Sequence, residues 1–97
     1  MLTNEQKNNI IKTLDVSIEN LYKNIDNLDE SAITAISLDT VKQICNEDSL
    51  VGALMNALLG MEACSSEDDF PYTDKEYAYA VLGWLSHMKA IIEKVVE

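Results

Sequence analysis

The side chains of this sequence with the most chemical capacity are one imidazole, His87, two thiols, Cys45 and Cys64, and a run of carboxylates, Glu67-Asp68-Asp69. A thiol or imidazole becomes a nucleophile or a general base only where a second group activates it and a third orients it. His87 falls on a different predicted helix from either thiol, at the edge of an apolar seam, where an imidazole is more often packed or half exposed. Cys45 and Cys64 bracket a stretch that reads as helix, so a rise of 1.5 Å per residue sets them roughly 25 Å apart. A disulfide needs Cα atoms within about 7 Å, and both cysteines are read as free thiols that fill core space. One histidine and two distant cysteines do not make a metal site. The acidic run lacks the alternating acids and the turn glycine of a calcium-binding loop and reads as a solvated loop. There is no glycine-rich phosphate loop, no Gly-x-Ser-x-Gly elbow and no His-Glu-x-x-His pair. The expectation is a protein that is not an enzyme, with no cofactor and no metal.

The elements that position these groups all read as helix, and the fold class expected is all-α, a compact antiparallel bundle of about four helices over 4–27, 31–45, 48–64 and 74–95, in a single domain spanning 1–97. Thr3-Asn4-Glu5-Gln6 has capping-box spacing. Ile11, Leu14, Ile18, Leu21, Ile25 and Leu28 follow at alternating steps of three and four, a narrow seam. Lys12, Asp15, Glu19, Lys23 and Asp26 take the other side, with Glu19 and Lys23 in a favourable i,i+4 relation. Residues 31–45 read as helix through Ile33, Ile36, Val41 and Ile44, although Ser37-Leu38-Asp39-Thr40 equally suits a restart. Asn46 and Asp48 mark the next turn, and Thr73-Asp74-Lys75-Glu76 is a second capping box, with Tyr72 and Tyr77 spaced as a hydrophobic staple. The last helix carries a seam of Tyr77, Val81, Trp84, Met88, Ile91 and Val95, widened by Leu82, Leu85 and Ile92.

The stretch from Asp48 to Cys64 is uncharged between Asp48 and Glu62, with Leu50, Leu54, Ala57, Leu58 and Met61 on one side and Val51, Met55 and Leu59 beside them. A helix apolar over most of its circumference is ordinarily buried. It is too short to span a bilayer, which takes roughly 18 apolar residues. The expectation is therefore that this helix lies at the centre, wrapped by the others.

Composition bounds the function. A chain of 97 residues, 47% hydrophobic, is long enough for a packed core without staples. Met1 to Gln6 is polar, with no basic segment leading into an apolar run, so the reading is a soluble, cytoplasmic protein that does not enter a membrane. Seventeen acids oppose seven lysines, there is no arginine, and the net charge is −10. Direct nucleic-acid binding is excluded as an expectation, because it needs cations along the phosphates. The acids are uneven: four in 1–28, two in 77–97 and eleven in 29–76, where only Lys42 and Lys75 answer them. An up-and-down bundle brings its first and third connections to one end. That end would gather Asp29, Glu30, Glu67, Asp68 and Asp69 with the aromatics Phe70, Tyr72 and Tyr79, a surface suited to the basic face of another protein. Inhibitors, immunity proteins, phage or plasmid anti-defence proteins and small chaperones share this make-up. The alternative expectation is a homo-oligomeric structural or regulatory subunit, a homodimer in the simplest case, assembling through the small-residue face of the last helix at Tyr79, Gly83, Ser86 and Ala90.

Overall fold

A computed structural model describes residues 2–63 and 73–94, without the side chains of 60–63. It is an all-α, antiparallel four-helix bundle: α1 (Asn4–Lys23), α2 (Glu30–Glu47), α3 (Ser49–Ala63) and α4 (Asp74–Glu93). Both capping boxes form. The Thr3 hydroxyl accepts the Gln6 amide at 3.0 Å and the Thr3 amide donates to Gln6 Oε1 at 2.9 Å. Thr73 and Glu76 do the same at 3.2 and 2.9 Å. Helix α1 stops at Lys23 instead of continuing to 27, because Asn24 leaves helical geometry and its side chain bonds back to the Asn20 carbonyl. Asn and Asp side chains offer the backbone such alternatives to helix. A turn follows, closed by Asn27 N–H to Asn24 O at 2.8 Å, and from it Ile25 and Leu28 still pack on the core.

Helix α2 is one element, capped by the Asp29 carboxylate on the Ala32 amide at 2.8 Å. It passes through Ser37–Thr40 without a restart because the hydroxyls there bond within the helix, Ser37 to Ile33 O at 3.0 Å and Thr40 to Ile36 O at 2.7 Å. Asp48 alone connects α2 to α3. Its amide donates to Ile44 O at 2.9 Å, ending α2, and its carboxylate accepts the Val51 amide at 3.0 Å, starting α3.

Side-chain bonds set the topology. Gln6 Nε2 donates to Glu47 O at 2.7 Å and Asn9 Nδ2 to Glu47 Oε1 at 2.9 Å, so α1 and α2 are antiparallel. Midway, the buried Ser17 and Thr40 hydroxyls meet at 2.7 Å; with the Thr40 proton on Ile36 O, Ser17 is the donor. The ion pairs Lys75–Asp26 (2.9 Å) and Lys89–Asp15 (2.7 Å) run α4 antiparallel to α1. The predicted Glu19–Lys23 pair is present at 3.3 Å and is exposed, a geometry that contributes little to stability. Tyr77 Oη and Thr34 Oγ1 lie 3.0 Å apart, which brings the starts of α2 and α4 together.

The expected centre of the bundle is corrected. Helices α2 and α4 touch across a diagonal, whereas α3 packs on α2 and α4 and does not reach α1. In cross-section α1 and α3 are then the outer corners. The helix most enclosed is α4, which buries Tyr77, Ala78, Val81, Trp84, Leu85, Met88 and Ile92. Of its expected seam, Ile91 is exposed instead, and Val95 lies outside the described residues. Helix α1 likewise centres on Ile10, Leu14, Ser17 and Leu21, with Ile11 and Ile18 half-buried at the margin. A corner helix has neighbours on only part of its circumference. Helix α3, uncharged up to Glu62, therefore turns leucines outward: Leu50 is 69% and Leu54 57% exposed, and Ala57 is exposed as well.

Candidate docking groove

The seating of α3 is fixed by its glycine. Gly52 is buried against Cys45 of α2, where a Cβ would lie 2.8 Å from Cys45 Cα and 2.9 Å from its amide nitrogen and would overlap Cys45 Sγ. Only a residue without a side chain allows this approach. With the Gly52 side of α3 against α2 and Met55 buried beneath it, the residues on the remaining arc cannot also be covered. Leu50 and Leu54 project over a groove between α3 and the last turns of α4.

The groove has a volume of about 290 Å³. Its floor is apolar and adaptable: Met55, Met88 and Ile92 are buried there, and two of the three are flexible thioethers. One wall is Leu50, Leu54 and Leu58 of α3, the other Ile91 of α4, itself 42% exposed. Leu2 and Asp48 close one end. Isolated exposed apolar residues are normal on a protein surface; several converging on one concavity make it the candidate docking site. The remaining large exposed apolar side chains, Val16, Tyr22, Leu38 and Tyr79, do not line it.

The described residues of the expected acidic pole fall at the other end of the bundle. Asp29 and Glu30 are there, beside Asp74 and Lys75 of α4: the Glu30 amide donates to Asp74 Oδ1 at 3.1 Å, and Asp26 pairs with Lys75. Several of these acids are tied to the fold, Asp29 as an N-cap, Asp74 as a brace on α2 and Glu76 in its capping box. Tyr79 is 52% exposed. Glu67, Asp68, Asp69, Phe70 and Tyr72 lie outside the described residues, as does Cys64. Cys45 is a free thiol, half-buried on Gly52. Among the described residues no group of three His, Cys, Asp or Glu side chains is placed to hold a metal ion, and no helix is long and apolar enough to cross a membrane.

The electrostatics of the pole follow from these contacts. Hydrogen bonds from the Thr73 amide and hydroxyl hold the Glu76 carboxyl below the ordinary glutamate range, and the Asp26 carboxylate, by hydrogen bond and charge, raises Lys75 above the usual lysine value. A carboxyl whose folded pKa is depressed contributes stability that is complete above its unfolded pKa and is lost as the pH falls through the folded value. Glu76 is accordingly expected to titrate below the ordinary glutamate range when followed by carboxyl NMR shifts, and Thr73→Ala, which removes the hydroxyl and keeps the amide, to bring it part of the way back. A Glu76 titration unchanged by Thr73→Ala would contradict the capping geometry.

The groove was missed by sequence reasoning, which placed its leucines in the core. The available signal was Gly52, seven residues after Cys45 with a one-residue connection between their helices, since a glycine within an apolar helix marks the side of closest approach. Comparison of the chain with protein-family models, with curated proteins and with solved structures finds no match.

Proposed function

We propose that the protein is a cytoplasmic, non-catalytic binding module whose docking site is the α3–α4 groove and whose target is the basic surface of another protein. The observation that carries this reading is the exposure of Leu50 and Leu54 over an otherwise apolar groove. A leucine left in water forfeits on the order of 1.5–3 kcal/mol of transfer free energy relative to burial. Two of them beside Ile91 make a surface that gains when covered. The charge of −10 supplies the complementary steering term, drawing in a cationic partner and repelling anionic ones. Occupation of a partner's basic face would serve an inhibitor, an immunity or anti-defence protein, or a small chaperone.

The test is affinity isolation from cells that make the protein, with wild type and Leu50→Lys/Leu54→Lys compared side by side. A partner retained by the wild type and lost from the variant supports the reading. A partner held equally by both would move the site to the acidic pole.

A second reading rests on α4. Tyr79, Gly83, Ser86 and Ala90 are all exposed, and a Cβ added at Gly83 meets nothing within 4 Å. That open small-residue face suits close approach of another helix in a homo-oligomer. Sedimentation of wild type and Gly83→Leu separates the two, since only an α4-mediated dimer would be broken by that substitution.

A further inference from the structure

We propose that the buried hydroxyl pair of Ser17 and Thr40 fixes the register of α1 along the bundle, selecting one of several positions that apolar packing alone would accept.

The apolar pattern does not select a register. Helix α1 buries Ile10, Leu14, Ser17 and Leu21, in steps of four, three and four. Helix α2 buries Ile33, Ser37, Thr40 and Ile44 in the same steps, with Val41 beside them, and α4 repeats the steps at Tyr77, Val81, Trp84 and Met88. Helices that share a seven-residue repeat can slide past one another by one repeat, about 10.5 Å, and still set apolar layers against each other. The connection between α1 and α2 does not prevent this, since six residues drawn out span about 20 Å.

The hydroxyls break that degeneracy. Among the described residues the buried polar side chains are Ser17, Ser37 and Thr40. Ser37 is satisfied within its own helix by Ile33 O. Thr40 gives its proton to Ile36 O and accepts from Ser17 at 2.7 Å, so the buried bond between the two helices is Ser17 to Thr40. A slip of one repeat in one direction sets Ser17 opposite Ile33 and Thr40 opposite Ile10. In the other direction Ser17 moves out to Glu47, and α1 meets Thr40 only at Asn24, where its helix has ended. Neither register restores the buried bond, and leaving a buried hydroxyl without its partner is costly. The remaining contacts that mark the register, Asn9 with Glu47, Lys75 with Asp26 and Lys89 with Asp15, lie towards the surface, where water competes for them. A single polar contact in an apolar seam is the best-attested way to fix how helices align. The alignment reaches the groove as well. Leu2, ahead of the α1 cap, lines the groove's end, a place it leaves if α1 slides by one repeat.

The test is Ser17→Ala/Thr40→Val, which removes both hydroxyls and keeps the packed volume close to that of the wild type. Amide NMR spectra are recorded at two protein concentrations, with circular dichroism to check helicity. The wild type is expected to give one peak for each amide. The double variant is expected to give a second set that extends to both ends of α1, from Thr3 to Lys23. Ser17→Ala alone leaves Thr40 bonded to Ile36 O; it is expected to show the second set too, and it decides the question if the double variant does not fold. The exchange Ser17→Thr/Thr40→Ser keeps a hydroxyl on each helix and is expected to keep one set. A single set in the apolar variants overturns the proposal. So does doubling confined to the neighbours of residues 17 and 40, which is local repacking, or a second set whose share grows with concentration, which is association between copies. A second set in the exchanged pair would trace the effect to packing and overturns it as well, as would failure of both apolar variants to fold, which would make the hydroxyls a requirement of the fold itself.

Discussion

Gly52→Ala is expected to destabilise the protein by about 1–3 kcal/mol or more, the range for forcing a methyl group into packed space. The direction is not what local propensity gives, because alanine exceeds glycine by about 0.8–1 kcal/mol in a helix interior. What decides the sign is that the new Cβ meets Cys45 backbone atoms at 2.8 and 2.9 Å, which cannot swing aside as a long side chain would. Helix α3 must slide off α2, and the groove changes shape with it. Gly83 supplies the internal control: the same substitution meets nothing within 4 Å and should raise stability by about 0.5–1 kcal/mol. Urea melts of the two variants should therefore shift in opposite directions from the wild-type midpoint. Two shifts of the same sign would contradict the close α2–α3 contact.

The second large effect concerns which helix is the core. Leu85→Ala removes a side chain that is 0% exposed and is expected to cost about 2–5 kcal/mol, as cavity-forming changes do. Leu54→Ala removes the same atoms from a site that is 57% exposed and is expected to stay within about 1 kcal/mol of wild type, near the behaviour of surface substitutions. Paired denaturant melts measure the contrast directly. Near-equal losses would restore α3 to the centre of the bundle.

These two helices show how far the sequence was legible. The starts of α1 and α4 were readable because Thr3/Gln6 and Thr73/Glu76 encode their caps within four residues of chain, and local hydrogen bonding decides them. The end of α1 was less so: Ile25 and Leu28 continue the apolar spacing and do pack inward, but from a turn that Asn24 closes. Periodicity reports which residues face the core without reporting whether the backbone between them is helical. The unity of α2 was equally hidden, since Ser37 and Thr40 suit an N-cap and an intrahelical bond alike, and the packed partner of Thr40, Ser17, lies 23 residues away in the chain.

The groove was hidden for a different reason. An uncharged, nearly unpatterned helix is apolar all round, and such a sequence suits a buried helix and a docking helix equally. Burial depends on how many neighbours surround it, which is set by the α2–α4 diagonal and not by anything within residues 48–64. The acidic pole was foreseeable in outline because bundle topology places Asp26, Asp29, Glu30 and Asp74 together. The sequence did not reveal how many of those acids are occupied in capping and bracing.

Leu50 and Leu54 face solvent and are expected to contribute little to the fold. Thermal and urea unfolding of Leu50→Lys/Leu54→Lys measures this most directly. Lysine is as good a helix former as leucine, its charged head can stay in water, and the substitutions reduce the self-repulsion of a chain at −10. The double variant is expected to unfold cooperatively within about 0.5–1 kcal/mol of wild type. Loss of several kcal/mol, or of the cooperative transition, would show that these leucines are buried in the protein as it exists in solution and would contradict the groove.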